Sequence, residues 1–255
     1  MSIPTLPSVP TVMRSNGVVM PAIGLGTWPM SDDEAAAAVD RALRIGWRLV
    51  GTAENQGNVT GVGRGLHASG VDRSEIFVTS KFNRRWHSVE GVRAACEASL
   101  ARLGLDYLDL LLVHWPNPDQ DRYVEAVEGL FRVLDAGLVR AIGVSNVKPT
   151  HLVRLFERGL VPHVYQIQID PQHRRDDVTA LDRAKGIVIE AWSPVGRAGP
   201  GRSSPIPPWE RSPRRMGARR PRSCCAGTSN TAGCRCRNRP TRFGRPRISR
   251  SSTSP

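Results

Sequence analysis

Two hydrophobic rhythms take turns along the first 197 positions of the chain. Short, almost wholly apolar runs occur at Ala22 to Thr27, Arg48 to Thr52, Ile76 to Lys81, Leu108 to His114, Val139 to Val144, Val164 to Ile169 and Val188 to Ala191. Runs of this length and composition predict strands buried on both faces of a parallel sheet. Between them, residues up to Ile45 and residues 60–69, 89–103, 121–136, 149–157 and 176–185 read as amphipathic helices. Ser31-Asp-Asp-Glu34 supplies a capping box for the first of these. Thr11 to Met20 reads as a hairpin turning at Asn16-Gly17, a dipeptide suited to the positive φ of a type I′ turn. Repeating βα units at intervals of 20 to 35 residues predict an α/β fold of the (β/α)8 barrel type. Only seven barrel strands are found in the sequence, so an incomplete barrel is expected, preceded by the hairpin.

Composition divides the chain in two. Residues 1–197 hold 22 Lys plus Arg and 22 Asp plus Glu, whereas residues 198–255 hold fourteen Arg, no Lys and one acid, Glu210, and so carry the whole formal charge of +13. A basic balance normally points to nucleic acid. Here the charge is not spread over a folded face, and no nucleic-acid partner is expected. The first residues lack a charged segment followed by an apolar core, and no run approaches a membrane span; a cytoplasmic location without membrane contact is the expectation. The second segment also holds four of the five cysteines, Cys224, Cys225, Cys234 and Cys236. The adjacent pair lacks the two-residue gap that turns both thiolates onto one ion, so no metal site is expected. Arg, Pro and Ser enrichment predicts a disordered tail over 198–255, following a barrel domain over 1–197.

In barrels of this kind the chemistry sits at the C-terminal strand ends. Those ends carry Gly51-Thr52, Lys81, His114-Trp115, Ser145-Asn146, Gln166 and Trp192-Ser193-Pro194. Taken singly, Ser145-Asn146 reads as a helix cap, Trp192 as core, Lys81 as a solvated strand end and His114 as a satisfied core histidine. Their joint order changes this. Ile23-Gly-Leu-Gly-Thr-Trp28, Gly46-Trp-Arg-Leu-Val-Gly-Thr-Ala53, Val78-Thr-Ser-Lys81, Leu111-Leu-Val-His-Trp-Pro116, Ile142-Gly-Val-Ser-Asn146, Gln166 and Trp192-Ser-Pro194 resemble the ordered signatures of the aldo-keto reductases, in the manner of the bacterial diketogluconate reductases. The resemblance covers residues 11–197.

It implies a TIM barrel that reduces an aldehyde or ketone with NADPH. In that family a tyrosine protonates the carbonyl oxygen, a lysine paired with an aspartate makes the phenol more acidic, and a histidine orients the substrate. Lys81 and His114 match two of these positions. Gly51 stands at the aspartate position and Gln56 at the tyrosine position, with Val59 three residues on where the family has glutamate. A glutamine amide donates a hydrogen bond but has no proton to surrender. Without an aspartate, a buried Lys81 is expected to lack its counterion and to drift toward the neutral amine. The resemblance further implies that Thr27, Ser145, Asn146, Gln166, Trp192, Ser193 and Pro194 bind the cofactor, and that Trp28 and Trp115 wall the substrate pocket. It implies severely weakened reduction.

The tail admits a reading in a shifted frame. Arg219 to Ala232 permit codons that, moved by one base, encode Pro-Ala-Gln-Val-Val-Leu-Arg-Trp-His-Leu-Gln-His-Gly, which resembles a late helix of the same family. Cys236 to Arg239 likewise admit Val-Pro-Lys-Ser, similar to the segment that grips the cofactor's 2′-phosphate. An out-of-frame tail would lack the eighth strand, the last helices and much of the phosphate and adenine site, and NADPH binding is expected to weaken. The alternative is a non-catalytic protein whose basic, cysteine-bearing tail binds nucleic acid or metal.

Overall fold

The computed structural model describes residues 10–196, apart from Arg14, Asp177 and residues 180–183. Strands β1 (Thr11–Met13) and β2 (Val19–Pro21) pair antiparallel with Thr11 opposite Pro21. The hairpin is as expected, but its turn is not. The ladder ends at Met13 and Val19, so the connection is longer than two residues, and of the Asn16-Gly17 pair only Gly17 has a positive φ, +78°. Asn16 instead accepts from the Val18 amide at 3.2 Å and donates to the Arg140 carbonyl at 2.9 Å, which fastens the turn to the barrel.

Seven parallel strands follow in chain order: β3 (Leu25–Gly26), β4 (Leu49–Gly51), β5 (Phe77–Phe82), β6 (Leu110–Val113), β7 (Ile142–Ser145), β8 (Val164–Gln168) and β9 (Val188–Trp192). Helices α1 (Asp32–Arg44), α2 (Val59–Ala68), α3 (Val89–Leu103), α4 (Tyr123–Asp135) and α5 (Pro149–Glu157) lie between them. The sheet is a nearly closed barrel. Among the described residues no ladder joins β3 to β9. Strand β3 is shorter than the apolar run around it because the Ala22 amide is drawn to the Pro10 carbonyl beside the hairpin, at 2.7 Å. Ser31 caps α1 as its sequence predicts, its own amide donating to Glu34 at 2.8 Å. The expected helix at 176–185 falls partly, and the tail 198–255 with its cysteines wholly, outside the described residues.

The strand pleat sorts the apolar residues into two cores. Val50, Val78, Leu111, Ile142, Tyr165 and Ile189 face the helices, while their neighbours Leu49, Phe77, Leu110, Leu112, Ala141, Val164 and Val188 fill the barrel's lumen with Met20 of the hairpin as its floor. At the same end the fully buried Asp109 carboxylate accepts from Arg73 and Arg140, both at 2.8 Å, and from the Val78 amide at 2.9 Å. One charge thus ties β5 to the segments entering β6 and β7. A buried carboxylate so paired is costly to break.

Gly143, in the middle of β7, leaves no room for a side chain. An added Cβ would lie 2.4 Å from both the Leu112 side chain and the Val164 carbonyl oxygen. Gly143→Ala is therefore expected to destabilise the fold by about 1–3 kcal/mol. Urea unfolding followed by circular dichroism measures this, and an unchanged midpoint would contradict the packing.

Candidate active site

Continuing the lumen parity upward places the chemistry. On each strand the inward positions run Leu49 then Gly51; Phe77, Thr79, Lys81; Leu110, Leu112, then His114; Ala141, Gly143, Ser145; Val164, Gln166; Val188, Glu190, Trp192. The register supports this, pairing Ser145 with Gln166, Gln166 with Glu190 and Gln168 with Trp192. An apolar lumen therefore ends in a polar ring. A cleft of about 510 Å³ opens from that ring, and its inner end reaches Met20 and Leu49.

The loop after β4 is held from two sides. Buried Asn58 donates to the Thr27 and Met30 carbonyls at 2.8 and 2.9 Å, joining this loop to the one after β3. Glu54 accepts from the Trp86 indole at 3.0 Å, from the Asn83 amide at 3.2 Å and from Arg85, joining it to the loop after β5. Gln56 sits between these anchors. The Thr27 hydroxyl lies 2.9 Å from Gln56 Oε1 and 3.1 Å from the Gly51 carbonyl, and the Thr52 hydroxyl lies 3.5 Å from the same Oε1. With Oε1 held by the Thr27 hydroxyl, the amide nitrogen carries the remaining hydrogen-bonding capacity of Gln56, a residue that lines the cleft.

Lys81 is only 8% exposed, and its Nζ donates to the Thr52 carbonyl at 3.3 Å. Burial pushes its ammonium below the usual lysine range, and the negative charge of Glu190 opposes that shift. The shift has the direction expected from the sequence for a buried lysine beside Gly51. His114 is pushed down to about 4, first by burial and then by the Lys81 charge, so it stays neutral at ordinary pH. Its ring stacks on Trp115 with centroids 6.4 Å apart, and its buried Nδ1 has no partner among the described residues.

On the opposite side Asn146 acts as a bracket. Its amide donates to the His114 carbonyl and to the Ser145 hydroxyl, both at 3.0 Å, and its Oδ1 accepts the Trp192 indole N–H at 3.0 Å. Asn146 and Ser193 both hold left-handed backbone, with φ of +58° and +51°. They stand at the ends of β7 and β9, on either side of β8, and both line the cleft.

A sequence profile for "Aldo/keto reductase family" matches residues 22–203. The chain belongs to the aldo/keto reductase family. Its similarity to "Methylglyoxal reductase DkgA" of Salmonella typhimurium is 41% identity over 75% of this chain and 70% of that protein. The aldo/keto reductase structure from Brucella melitensis superposes with a TM-score of 0.71 at 39% identity, covering 74% of this chain and 75% of that one. The Bombyx mori aldo-keto reductase solved in complex with NADP superposes with a TM-score of 0.68 at 33% identity, covering 73% of this chain and 66% of that one.

Every site residue named from sequence lines the one cleft. Their states differ from expectation in two respects. Thr27 is fully buried and its hydroxyl is engaged by Gln56 and Gly51, so it shapes the Gln56 loop. The Asn146 amide is fully engaged within the protein, which leaves Gln166, whose amide has no partner among the described residues, as the free amide of that wall. Trp28 and Trp115, 57% and 49% exposed, stand at the mouth. Glu190 was missed from sequence; the signal was its place two residues after Val188 and two before Trp192, on the inward face. Glu54 and Asn58 gave no such signal, because their partners are distant in the chain.

Two buried histidines give a pH prediction. His87, 2% exposed and pushed down to about 4 by burial and then Arg122, behaves as His114 does. Both would take up protons near 6.5 when unfolded, so the unfolded chain binds more protons between 6.5 and about 4 and stability falls as pH drops through that window. Denaturation midpoints measured across it should decline, and His87→Leu should reduce the decline. A flat profile would contradict the burial.

Proposed function

We propose that the cleft binds a nicotinamide cofactor, NADPH, beside a small carbonyl compound, and that this chain reduces that carbonyl far more slowly than intact members of its family. The observation that carries the reading is the ring itself. Lys81, His114, Ser145, Gln166 and Trp192 converge as a carbonyl-reducing site requires, while Gln56 occupies the position of the proton donor. The residues fit a nicotinamide: the Trp192 indole is held by Asn146 as a fixed aromatic wall, and the unpartnered Gln166 amide offers both a donor and an acceptor to a carboxamide. Such a cofactor, when bound, supplies a hydride.

The remaining work falls to the chain's own groups. Neutral His114 and the Gln56 amide can hydrogen-bond a carbonyl oxygen and orient it. Neither the Gln56 amide nor a neutral imidazole without a second partner makes an efficient proton donor at neutral pH. Trp28 and Trp115 screen the mouth from water. The NADP of the Bombyx mori structure and the name of the Salmonella protein support the cofactor and the carbonyl class.

The mutational test is direct. A Cβ at Gly51 meets nothing closer than the Leu25 carbonyl oxygen at 3.8 Å, so a side chain can start there without a clash. Gly51→Asp with Gln56→Tyr is expected to raise aldehyde-dependent NADPH oxidation by roughly 10²- to 10⁴-fold. Parent chain that already matched intact relatives, or a double variant no faster than the parent, would refute the reading.

The same proposal separates a barrel domain over 1–197 from a tail over 198–255 whose composition is that of out-of-frame text, with NADPH affinity reduced accordingly. The charge asymmetry supports it, since the barrel part is balanced and the tail holds all +13. A cytoplasmic location belongs to this reading; among the described residues no helix is long and apolar enough to cross a membrane. Sequencing the gene across codons 190 to 205 tests the frame. Restoring one base should continue the open frame into an eighth strand and closing helices, and failure to do so would overturn the out-of-frame account.

A further inference from the structure

We propose that Lys81 is a nucleophile of this cleft, whose ε-amine condenses with a small aldehyde to form an imine on the protein. This deepens the reading of the cleft as a carbonyl site and rests on it for the class of ligand, while adding a covalent chemistry that needs no cofactor. The geometry begins with where the side chain goes. Lys81, on β5, reaches across to the end of β4, where its Nζ donates to the Thr52 carbonyl at 3.3 Å. The Thr52 hydroxyl lies 3.5 Å from Gln56 Oε1, so the amine and the amide side chain are anchored on one residue. Gly51, Gln56, Lys81 and His114 all line the cleft, whose volume of about 510 Å³ has room for a small aldehyde.

The surroundings favour the uncharged amine. An exposed lysine is an ammonium at neutral pH and has no lone pair with which to attack a carbonyl. Lys81 is 8% exposed, and its hydrogen bond goes to a neutral acceptor. From β4 it meets Gly51 and Thr52, and from the following loop Gln56, none of which carries a charge. Glu54 of that loop is engaged by Asn83, Arg85 and Trp86. From β6 the facing titratable group is His114, which is neutral at ordinary pH. The charge of Glu190 on β9 acts in the opposite sense, yet among the described residues no carboxylate stands within ion-pair distance of Nζ. Desolvation outweighs that more distant charge, and the balance moves toward the free amine. A desolvated amine without a paired carboxylate is the state in which lysine serves as a nucleophile.

The step balances without an outside reagent. The Nζ lone pair attacks the carbonyl carbon and a C–N bond forms, while the π pair moves onto oxygen, which takes one proton from the nitrogen to give a carbinolamine. The C–O bond then breaks as the second nitrogen proton leaves with that oxygen as water, and the nitrogen lone pair closes the C=N bond. Nothing is oxidised or reduced, and hydrolysis reverses the step. Neutral His114 and the Gln56 amide, which orient the carbonyl oxygen for reduction, hold the same oxygen here. An aldehyde bound as an imine occupies the cleft, so its formation slows the residual reduction.

The chain has three lysines, and the other two, Lys148 and Lys185, are exposed and serve as internal controls. Full-length protein is incubated at neutral pH with butanal and cyanoborohydride, which reduces an imine to a stable butylamine, and the modified lysines are mapped by peptide mass spectrometry. Lys81 should be alkylated at least about 10-fold faster than either control, the gain in free amine that burial confers. Gly51→Asp, which sets a carboxylate beside Nζ, should remove that advantage and leave Lys148 and Lys185 unchanged. If Gly51→Asp does not fold, the parent unfolded in urea takes its place, and there the three lysines should react at similar rates. Folded parent in which Lys81 reacts no faster than the controls, or an advantage that survives in folded Gly51→Asp or in urea, would overturn the imine. Aldehyde turnover by the Gly51→Asp, Gln56→Tyr variant would in that case still uphold the carbonyl reading. Selective alkylation of Lys81 in a chain whose double variant turned over no aldehyde would count against reduction alone.

Discussion

Side chains on the inside of a small parallel barrel share a narrow lumen, and that crowding governs the rest of this molecule. Each strand sends alternate residues inward, so seven strands in register stack their inward residues in layers. The lower layers can only be apolar and well fitted, as Leu49, Phe77, Leu110, Leu112, Ala141, Val164 and Val188 are, with Met20 beneath them. Gly143 is the price of that fit. The topmost layer meets the cleft, and there the same crowding gathers Lys81, His114, Ser145, Gln166 and Glu190 around one opening.

Electrostatics follows from that forced proximity. Lys81 and His114 are both driven toward their neutral forms by burial, and the Lys81 charge adds to the shift of His114. Gly51 ends β4 without a carboxylate, and the negative charge of Glu190 on β9 opposes the downward shift of Lys81. The tie at the opposite end, where Asp109 holds Arg73, Arg140 and the Val78 amide, keeps the strands in the register on which this depends.

Loops carry a second level of control. Gln56 would be a mobile side chain on an exposed turn were it not for Asn58 and Glu54, which bind the turn to both neighbouring loops. The bracket formed by Asn146 does the same for Trp192. These side chains contribute no chemistry of their own. They convert three loops of independent origin into one rigid rim, which is the condition for orienting a ligand at all.

By itself the amino-acid sequence determined the alternation of elements, the Ser31 cap, the seven strand positions and the residues at their C-terminal ends, because each depends on a local period or a short run of letters. It also exposed Gly51 and Gln56 as departures from the family's pattern, and the break in composition near residue 197. Only the tertiary structure decided the long hairpin turn, whose Asn16 answers to Arg140, and the engagement of Thr27 and Asn146 within the protein. It also set Glu190 in the same cleft as Lys81. The reason is physical: an electrostatic neighbour is defined by distance across the lumen, and residues more than a hundred positions apart acquire that distance only when the strands have closed around them.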